Sequence, residues 1–320
     1  MNKVKTAVIG VGYLGHYHAE KYAKLPQSEL IAICDTHAER RNEVAEAHQT
    51  TPIENYHNLV GKVDAVSIAV PTPAHFEVAK FFLENGIHVL LEKPITTTIE
   101  QADQLIAIAK KNNLVLQVGH LERFNNAIKG LDNHLSNPRF IESLRLAPFK
   151  LRGSDVNVVL DLMIHDIDII QSFVKSEIHT IRASGASVLS PYIDIANARI
   201  EFENGCVANV TASRISLKTE RSLRIFQHDC YIGLDLDRKR LNIHRKGQKE
   251  MFPGIPEITR EKHSFEKGDA LNDQIISFLD AISNKTPPVV SGEDGKRALE
   301  IAIKITKIVH ETNALYPITE

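Results

Sequence analysis

The segment Gly10-Val11-Gly12-Tyr13-Leu14-Gly15 decides the fold of the N-terminal part of this chain. It has the spacing GxGxxG, follows the apolar pair Val8-Ile9 and precedes a helix-forming run. In this context Gly10 can make a tight turn, Gly12 lets backbone amides approach a pyrophosphate, and Gly15 allows close packing of helix on strand. The phosphates would lie at the helix N-terminus. The segment predicts a dinucleotide-binding loop, and a glycine-rich turn without a ligand is the alternative.

An acidic residue at the expected distance supports this interpretation. Asp35 ends the apolar run 30–34, and it comes 20 residues after Gly15. Its carboxylate can accept hydrogen bonds from both adenosine ribose hydroxyls and would repel a 2′-phosphate, which predicts NAD rather than NADP. Arg40 and Arg41 follow closely in sequence and could pair with a 2′-phosphate, so NADP stays open as an alternative.

Composition narrows the class of protein. A chain of 320 residues exceeds the usual size of one domain, which predicts two. Its 38 basic and 40 acidic residues nearly cancel and form no block of like charge, which argues against nucleic-acid binding and against a basic membrane-binding face. No run approaches the roughly 18 apolar residues that span a bilayer, and no signal-type segment opens the chain. We therefore expect a cytoplasmic protein that acts on a small molecule.

The three cysteines predict no disulfide and no metal site. Cys34, Cys206 and Cys230 are odd in number, widely spaced and set in apolar strand-like runs. This pattern is typical of buried free thiols.

The first part of the chain, residues 1–119, alternates strand and helix patterns. This alternation predicts an α/β fold, a Rossmann domain with a doubly wound parallel sheet. The predicted strands are mostly unbroken apolar runs, as expected for strands buried on both faces. Strands are expected at 6–9, 30–34, 65–70, 88–91 and 114–118, with helices at 16–24, 37–47, 74–84 and 99–112.

Residues 120–320 predict an α+β domain built on an open, mostly antiparallel sheet. Strands are expected at 139–149, 178–188, 195–203, 205–214, 221–236 and 240–245, an exposed loop or arm at 246–267, and helices at 269–284 and 293–313. The last helix has apolar residues on more than one face, which predicts that it packs back on the first domain. Few helices are available to cover the sheet, so we expect a homodimer or homotetramer formed through it.

Ligands of doubly wound sheets bind beyond the carboxyl ends of the strands, and chemically useful residues follow two of the predicted strands. The first segment is Val70-Pro71-Thr72-Pro73-Ala74-His75, in which Thr72 and His75 can reach a dinucleotide. The second is Glu92-Lys93-Pro94, which would direct a lysine into the nicotinamide cleft, although lysine is ordinarily a solvated surface residue. The predicted cofactor-binding residues are Gly10, Val11, Gly12, Tyr13, Leu14, Gly15, Asp35, Thr36, Val70, Pro71, Thr72, His75, Glu92 and Lys93.

A third segment, residues 160–168, places a carboxylate near an imidazole. If it is helical, Asp161 and His165 stand four residues apart on one face. Asp161 could then orient the ring, and His165 could remove a proton from a hydroxyl. The alternative is a helix start at which acidic residues interact with the helix dipole.

Together, the glycine loop, Glu92-Lys93-Pro94 and Asp161-x-x-x-His165 resemble the GFO/IDH/MocA oxidoreductase family over nearly the whole chain. The resemblance implies a Rossmann domain joined to a domain with an open sheet that commonly forms oligomer contacts. It implies that Lys93 orients the substrate hydroxyl and stabilises alkoxide charge, that His165 accepts the proton and that Asp161 supports it. It also implies a cis peptide bond between Lys93 and Pro94.

Four stretches resemble a narrower branch, the UDP-N-acetylglucosamine 3-dehydrogenases. They are residues 119–125, 146–150, 161–168 and 209–214. This resemblance implies oxidation of a sugar 3-hydroxyl to a ketone, functional coupling to an aminotransferase and supply of an amino sugar for lipid A. Arg123, Lys150 and Arg152 could pair with a diphosphate, with surface solvation as the alternative. The predicted substrate-binding residues are His120, Arg123, Lys150, Arg152 and His165.

Two other functions stay open at this stage. One is a dehydrogenase with the same residues that oxidises a free polyol, inositol or sugar acid. The other is an NAD-sensing protein without catalysis, because a dinucleotide fold alone does not establish turnover. The presence of both Lys93 and His165 favours an enzyme.

Overall fold

A computed structural model describes residues 3–131, 134–150, 156–266 and 268–315. The chain divides into two compact units. The first unit comprises Met1–Leu121 and Asp269–Leu299, and the second comprises Glu122–Gly268 and Glu300–Glu320. Within the described ranges, no helix combines the length and the apolar character needed to cross a bilayer.

The first unit contains a six-stranded parallel sheet in the order β3-β2-β1-β4-β5-β6, which is the strand order of a Rossmann fold. The strands are β1 (Val4–Ile9), β2 (Ser28–Cys34), β3 (Thr51–Ile53), β4 (Ala65–Ile68), β5 (His88–Glu92) and β6 (Leu116–Gly119). The helices are α1 (Gly15–Lys24), α2 (Ala38–Ala47), α3 (His75–Glu84), α4 (Ile99–Lys111) and α7 (Ala270–Asn284). The predicted fold class is confirmed for this unit.

The core of this unit forms because its central strands are apolar on both faces. Val8 of β1 and Ile33 of β2 are fully buried. Helix α7 packs beside α1 and contributes Phe278 to the same cluster. Complete burial of an aromatic side chain of this size contributes about 1.5–3 kcal/mol. The ammonium of Lys21 lies 2.8 Å from the carboxylate of Asp269 at the start of α7.

The sequence patterns missed strand β3. This three-residue strand lies at the sheet edge beside β2, and it contains Pro52. Its side chains are exposed or half-buried, so it has neither an apolar run nor a clear alternation. Proline is tolerated there because an edge strand has a side on which no ladder hydrogen bond is needed.

The second unit contains an eight-stranded sheet in the order β14-β13-β12-β11-β7-β10-β9-β8. Neighbouring strands are antiparallel except β7 and β10, which are parallel, so the predicted mostly antiparallel sheet is confirmed. The strands are β7 (Phe140–Leu146), β8 (Ile178–Ala186), β9 (Ile195–Phe202), β10 (Val207–Ser213), β11 (Glu220–Phe226), β12 (Cys230–Asp235), β13 (Arg240–Phe252) and β14 (Ile255–Ser264). The helices are the short α5 (Asn126–Lys129) and α6 (Ile164–Phe173), while α8 (Gly292–Leu315) has residues in both units.

One strand prediction and one loop prediction in this unit need correction. The single strand expected at 221–236 is two strands, β11 and β12, joined by a turn. The loop or arm expected at 246–267 is mostly paired, because β13 extends to Phe252 and forms a hairpin with β14. Most of β14 is exposed, so its sequence lacks the apolar alternation that indicates a half-buried strand.

The three cysteines are free and buried, as predicted. Burial raises the pKa of Cys34 to about 11 and that of Cys206 to about 11. Both side chains are therefore neutral thiols at neutral pH, which suits packing rather than nucleophilic chemistry.

Candidate active site

The glycine loop between β1 and α1 has the geometry of a phosphate-binding turn. Gly10 has φ +83°, and its N–H donates to the carbonyl of Cys34 at 2.7 Å. A Cβ atom at Gly15 would lie 1.8 Å from the carbonyl oxygen of Gly10, so only glycine lets the helix begin this close to the strand. A Cβ at Gly12 would find its nearest neighbour, Arg40, at 3.8 Å. The loop therefore opens outward at Gly12, where a pyrophosphate can approach the backbone.

Asp35 connects the end of β2 to this loop. One carboxylate oxygen accepts from the N–H of Val11 at 2.8 Å, and the other accepts from the N–H of His37 at 2.8 Å. An ionised carboxylate has about four acceptor positions, so these two bonds leave capacity for ribose hydroxyls. Asp35 thus fixes the loop and can also recognise a ribose. Thr36, the next predicted residue, is exposed.

A cleft of about 480 Å³ lies against the glycine loop in the first unit. Its lining consists of Val11, Gly12, Tyr13, His16, Arg40, Glu43, Val44, Ala47 and His48. The cleft combines an exposed loop backbone with side chains of α2. This arrangement fits the adenosine and pyrophosphate parts of a dinucleotide, because the loop supplies N–H donors and α2 supplies a wall.

The segment Glu92-Lys93-Pro94 follows the carboxyl end of β5, and the Lys93–Pro94 bond is cis. The carboxylate of Glu92 lies against Gly119, where a Cβ would be 2.9 Å from the carboxyl carbon. Burial by itself raises the pKa of Glu92, but the hydrogen bond from His18 and the charges of His18 and Lys93 outweigh burial and lower it. Glu92 is therefore a carboxylate beside a lysine at neutral pH.

His75, a predicted cofactor residue, contacts the backbone on both sides of its ring. Its Nδ1 lies 2.9 Å from the carbonyl oxygen of Pro94, and its Nε2 lies 3.0 Å from that of Val70. The ring is buried. These contacts join the Lys93–Pro94 segment to the end of β4, where Pro71 and Thr72 begin a short 3₁₀ turn. Direct contacts of residues 70–72 and His75 with a cofactor stay predictions.

In the second unit, Asp161 and His165 lie where two kinds of helix meet. Asp161 belongs to a single π-helical turn, Val159–Met163, and His165 lies in the first turn of α6. Residues 160–168 therefore do not form one uniform α-helix, and the prediction that places Asp161 and His165 on one α-helical face needs correction. The wider π turn changes the alignment of residues i and i+4. Both side chains are half-buried. Single π turns inside helices frequently occur at functional sites.

A buried ion pair stabilises the segment that leads into the π turn. Asp194 accepts a hydrogen bond from Nε of Arg214 at 2.7 Å, and Arg214 Nη1 donates to the carbonyl of Val156 at 2.5 Å. Val158 also donates its N–H to the carbonyl of Ile193 at 2.9 Å. Burial alone would raise the pKa of Asp194, but backbone N–H groups and Arg214 lower it well below its usual range. The Asp194–Arg214 ion pair therefore fixes the backbone at the start of the turn that carries Asp161.

Further ion pairs, which sequence patterns missed, hold α6 in the second unit. Arg145 of β7 makes two hydrogen bonds to Asp166, at 2.7 and 3.0 Å, and one to Glu122 at 2.9 Å. Arg123 makes two hydrogen bonds to Asp168, at 2.7 and 3.1 Å. The two aspartates that follow His165, Asp166 and Asp168, were a visible signal, but their arginine partners are distant in sequence. These pairs fix the helix that carries His165.

The predicted substrate-binding residues have different environments. His120 is fully buried after β6, Lys150 is exposed, and Arg123 is bound to Asp168. Arg152 lies outside the described residues. Lys93 and His120 belong to the first unit, whereas Asp161, His165, Arg123 and Lys150 belong to the second. Their assembly into one site stays a prediction.

One group of residues in the second unit could hold a metal ion, although the sequence predicts no metal site. His134, Glu261 and His263 place ligand atoms within 4.8 Å of one another. Nη2 of Arg245 lies 2.9 Å from Nδ1 of His134, so a guanidinium cation already interacts with this group. Its positive charge opposes binding of a second cation.

Two protein-family models match this chain. The model of the GFO_IDH_MocA oxidoreductase family, described as an NAD-binding Rossmann fold, matches residues 4–120, and the GFO/IDH/MocA C-terminal domain matches residues 146–230. The UDP-N-acetylglucosamine 3-dehydrogenase of Acidithiobacillus ferrooxidans is 40% identical over 95% of this chain and 97% of that protein. The chain belongs to the GFO/IDH/MocA family.

Solved and curated relatives agree with this assignment. A solved structure of the UDP-N-acetylglucosamine 3-dehydrogenase of Acidithiobacillus ferrooxidans has a TM-score of 0.92 and 39% identity, and the match covers 97% of this chain and 99% of that one. The scyllo-inositol 2-dehydrogenase (NAD(+)) of Bacillus subtilis is 26% identical over 95% of this chain and 94% of that protein. The predictions of an NAD cofactor and of an NAD-dependent dehydrogenase are confirmed.

The role of Asp35 leads to a prediction about cofactor choice. Asp35→Ser should lower the preference for NADH over NADPH by about tenfold or more, because placing a 2′-phosphate beside a carboxylate costs several kcal/mol. Fluorescence titration with each reduced cofactor measures the two dissociation constants. The ratio is the relevant quantity, since Asp35 also holds the N–H of Val11. Glu84→Ser, which changes net charge equally at the exposed end of α3, is the control. Equal affinity of the unmodified protein for both cofactors would contradict the assignment.

Proposed function

We propose that this protein oxidises the 3-hydroxyl of UDP-N-acetylglucosamine to a ketone with NAD as the oxidant. The observation that carries the proposal is 40% identity over nearly the full length of both chains to a UDP-N-acetylglucosamine 3-dehydrogenase. Inositol dehydrogenases match a similar share of the chain at 25–26% identity. They support the same alcohol-oxidation chemistry, but their lower identity makes inositol a weaker candidate substrate.

Three residues of this chain would divide the chemistry. His165 would take the hydroxyl proton, with Asp161 orienting its ring, while the ammonium of Lys93 would stabilise the negative charge that develops on the oxygen. NAD, when bound, would accept the hydride from the carbon that carries the hydroxyl, which makes the alcohol-to-ketone step an oxidation. The position of Lys93 directly after β5, next to the half-buried carboxylate of Glu92, supports its part. The ion pairs that fix α6 support the part of His165.

Recognition of the diphosphate would require cations in the second unit. Lys150 is exposed after β7 and suits this role, as does Arg152 by its place in the sequence. Arg123 fits less directly because its guanidinium is held by Asp168. An arginine fixed by a carboxylate can still present its outer N–H groups to a ligand, since the guanidinium has five donors.

A panel of alcohols tests the proposal. The protein is mixed with NAD and with UDP-N-acetylglucosamine, UDP-glucose, free N-acetylglucosamine, myo-inositol or a sugar acid, and NADH formation is followed. Mass spectrometry of the product should show loss of two hydrogens from the UDP-sugar. Faster NADH formation with a free polyol or sugar acid would establish the alternative function. Binding of NAD with no NADH formed from any alcohol would favour a sensing protein.

We also propose that the protein is a homodimer or homotetramer assembled through the second-unit sheet. The β13–β14 hairpin exposes Met251, Phe252, Ile255 and Ile258, which makes an apolar surface at one end of the sheet. Such surfaces commonly mark protein contacts. Light scattering at micromolar concentration should give a mass of two or four chains, and a monomer would contradict this.

The 3-keto product would suit a cytoplasmic aminotransferase that prepares an amino sugar for lipid A.

A further inference from the structure

A buried hydrogen-bond network links α1 to the segment that carries Lys93. His18 of α1 is fully buried. Its Nε2 lies 3.1 Å from Oε1 of Glu92, and its Nδ1 lies 3.0 Å from Oγ of Ser67 in β4. The hydroxyl of Tyr22 lies 2.9 Å from the same Ser67 oxygen. The network therefore joins α1 both to β4 and to the carboxyl end of β5.

The donors and acceptors of this network are mutually compatible. An ionised Glu92 only accepts, so Nε2 of His18 donates to it. Ser67 can exchange hydrogen bonds with both Nδ1 of His18 and the hydroxyl of Tyr22, because its own hydroxyl both donates and accepts. Burial raises the pKa of Tyr22, which keeps its hydroxyl a donor. Each of these bonds thus has a compatible donor and acceptor when Glu92 is a carboxylate.

The position of Glu92 is restricted from a second side. Its carboxyl carbon lies so close to Gly119 that a Cβ there would be 2.9 Å away. Lys93 is its neighbour in the chain, and the charge of Lys93 acts on the Glu92 carboxylate. Displacement of this carboxylate would therefore change the negative charge that acts on the Lys93 ammonium.

We propose that His18 is a positioning residue that holds the Glu92 carboxylate in place and thereby aligns the ammonium of Lys93 with the substrate oxygen. This inference rests on the proposed function of Lys93. Helix α1 begins at Gly15, at the end of the cofactor loop, so one rigid element carries both the phosphate-binding N-terminus and His18. The arrangement links the cofactor loop to the position of Lys93 through a single buried side chain.

Two substitutions separate the two contacts of His18. Glutamine can place its amide N–H near the position of Nε2, so His18→Gln should keep the bond to Glu92. Asparagine reaches only the position of Nδ1, so His18→Asn should keep Ser67 and lose Glu92. We expect His18→Asn to lower kcat about tenfold or more, with NADH affinity kept within about threefold, and His18→Gln to restore kcat to within about threefold.

The control is His88→Asn, which changes a histidine at the other end of β5, where Nδ1 accepts from the N–H of Val115 at 2.9 Å. It should change thermal stability without lowering kcat. Equal kcat in His18→Gln and His18→Asn would overturn the proposal, as would a loss of kcat matched by an equal loss of NADH affinity. If His18→Asn does not fold, Glu92→Gln, which keeps the side-chain shape, should lower kcat similarly, and unchanged kcat would overturn the proposal.

Failure of the proposed function would look different. All variants are measured with the alcohol that reduces NAD fastest in the substrate panel, so the result does not depend on the sugar assigned. If Lys93→Met keeps full turnover, Lys93 is not catalytic and the proposed mechanism fails. If Lys93→Met loses turnover while both His18 variants keep it, only the positioning role fails.

Discussion

Replacing Lys93 with methionine is expected to lower turnover by about a hundredfold or more, with NADH affinity kept within about threefold. Methionine preserves most of the volume of the lysine stem and removes the ammonium. The lost interaction is one that strengthens as negative charge develops on the substrate oxygen, so kcat falls rather than cofactor binding. Steady-state rates of NADH formation and fluorescence titration with NADH measure the two quantities.

Lys80→Met is the matched control for this substitution. Lys80 lies on α3 in the same unit, with its Nζ 5.6 Å from the centre of the Phe76 ring, and removal of its charge changes net charge equally. It should leave kcat unchanged within about twofold, as expected for a surface side chain. A Lys93→Met variant with near-normal kcat and bound NADH would show that the active site is elsewhere.

The Rossmann unit was predictable because its determinants are local. Gly10 needs a positive φ and Gly15 permits no Cβ, and both requirements are visible as glycines at fixed spacing. The long apolar runs of β1 and β2 report burial on both faces, which only a covered parallel sheet provides. Strand β3 was missed because an exposed three-residue edge strand with a proline has no such pattern.

The second unit was less predictable because its edge depends on long-range pairing. The hairpin of β13 and β14 consists mainly of exposed polar side chains, and its order comes from backbone hydrogen bonds between strands. A pattern of side-chain hydrophobicity cannot report such bonds. The π turn at Val159–Met163 was also missed, since it differs from an α-helix in backbone pairing rather than in composition.

The candidate site was likewise predictable where its determinants are local in sequence and not where they are long-range. Lys93, Asp161 and His165 were found because short motifs carry them. The partners that hold these motifs were not found, because Arg145 and Asp166 are 21 residues apart, and His18 and Glu92 are 74 residues apart. Single-sequence patterns identify the groups that carry chemistry, while the contacts that position those groups depend on the folded chain.

Replacing His165 with asparagine is the second substitution with a large expected effect, because it removes the proposed base and keeps a polar side chain at the start of α6. We expect kcat to fall by about a hundredfold or more, within the range of losses seen for a general base. A base must be unprotonated to act, so the unmodified enzyme should lose rate as pH falls through the protonation of the imidazole. In His165→Asn this low-pH loss should disappear, and the small remaining rate should be insensitive to pH over the same interval.

The matched control for the base is His179→Asn. His179 on β8 lies beside a carboxylate, with Nδ1 3.2 Å from Oε1 of Glu203, and both side chains are exposed. This variant should keep the rate and the pH profile of the unmodified protein, which shows that an ordinary histidine–carboxylate pair is insufficient. The pH profile is decisive, because a loss of kcat caused only by distortion of α6 would leave the low-pH limb in place, set by a different base. If His165→Asn keeps that limb, the proton is removed by another group, and the role assigned to His165 is wrong.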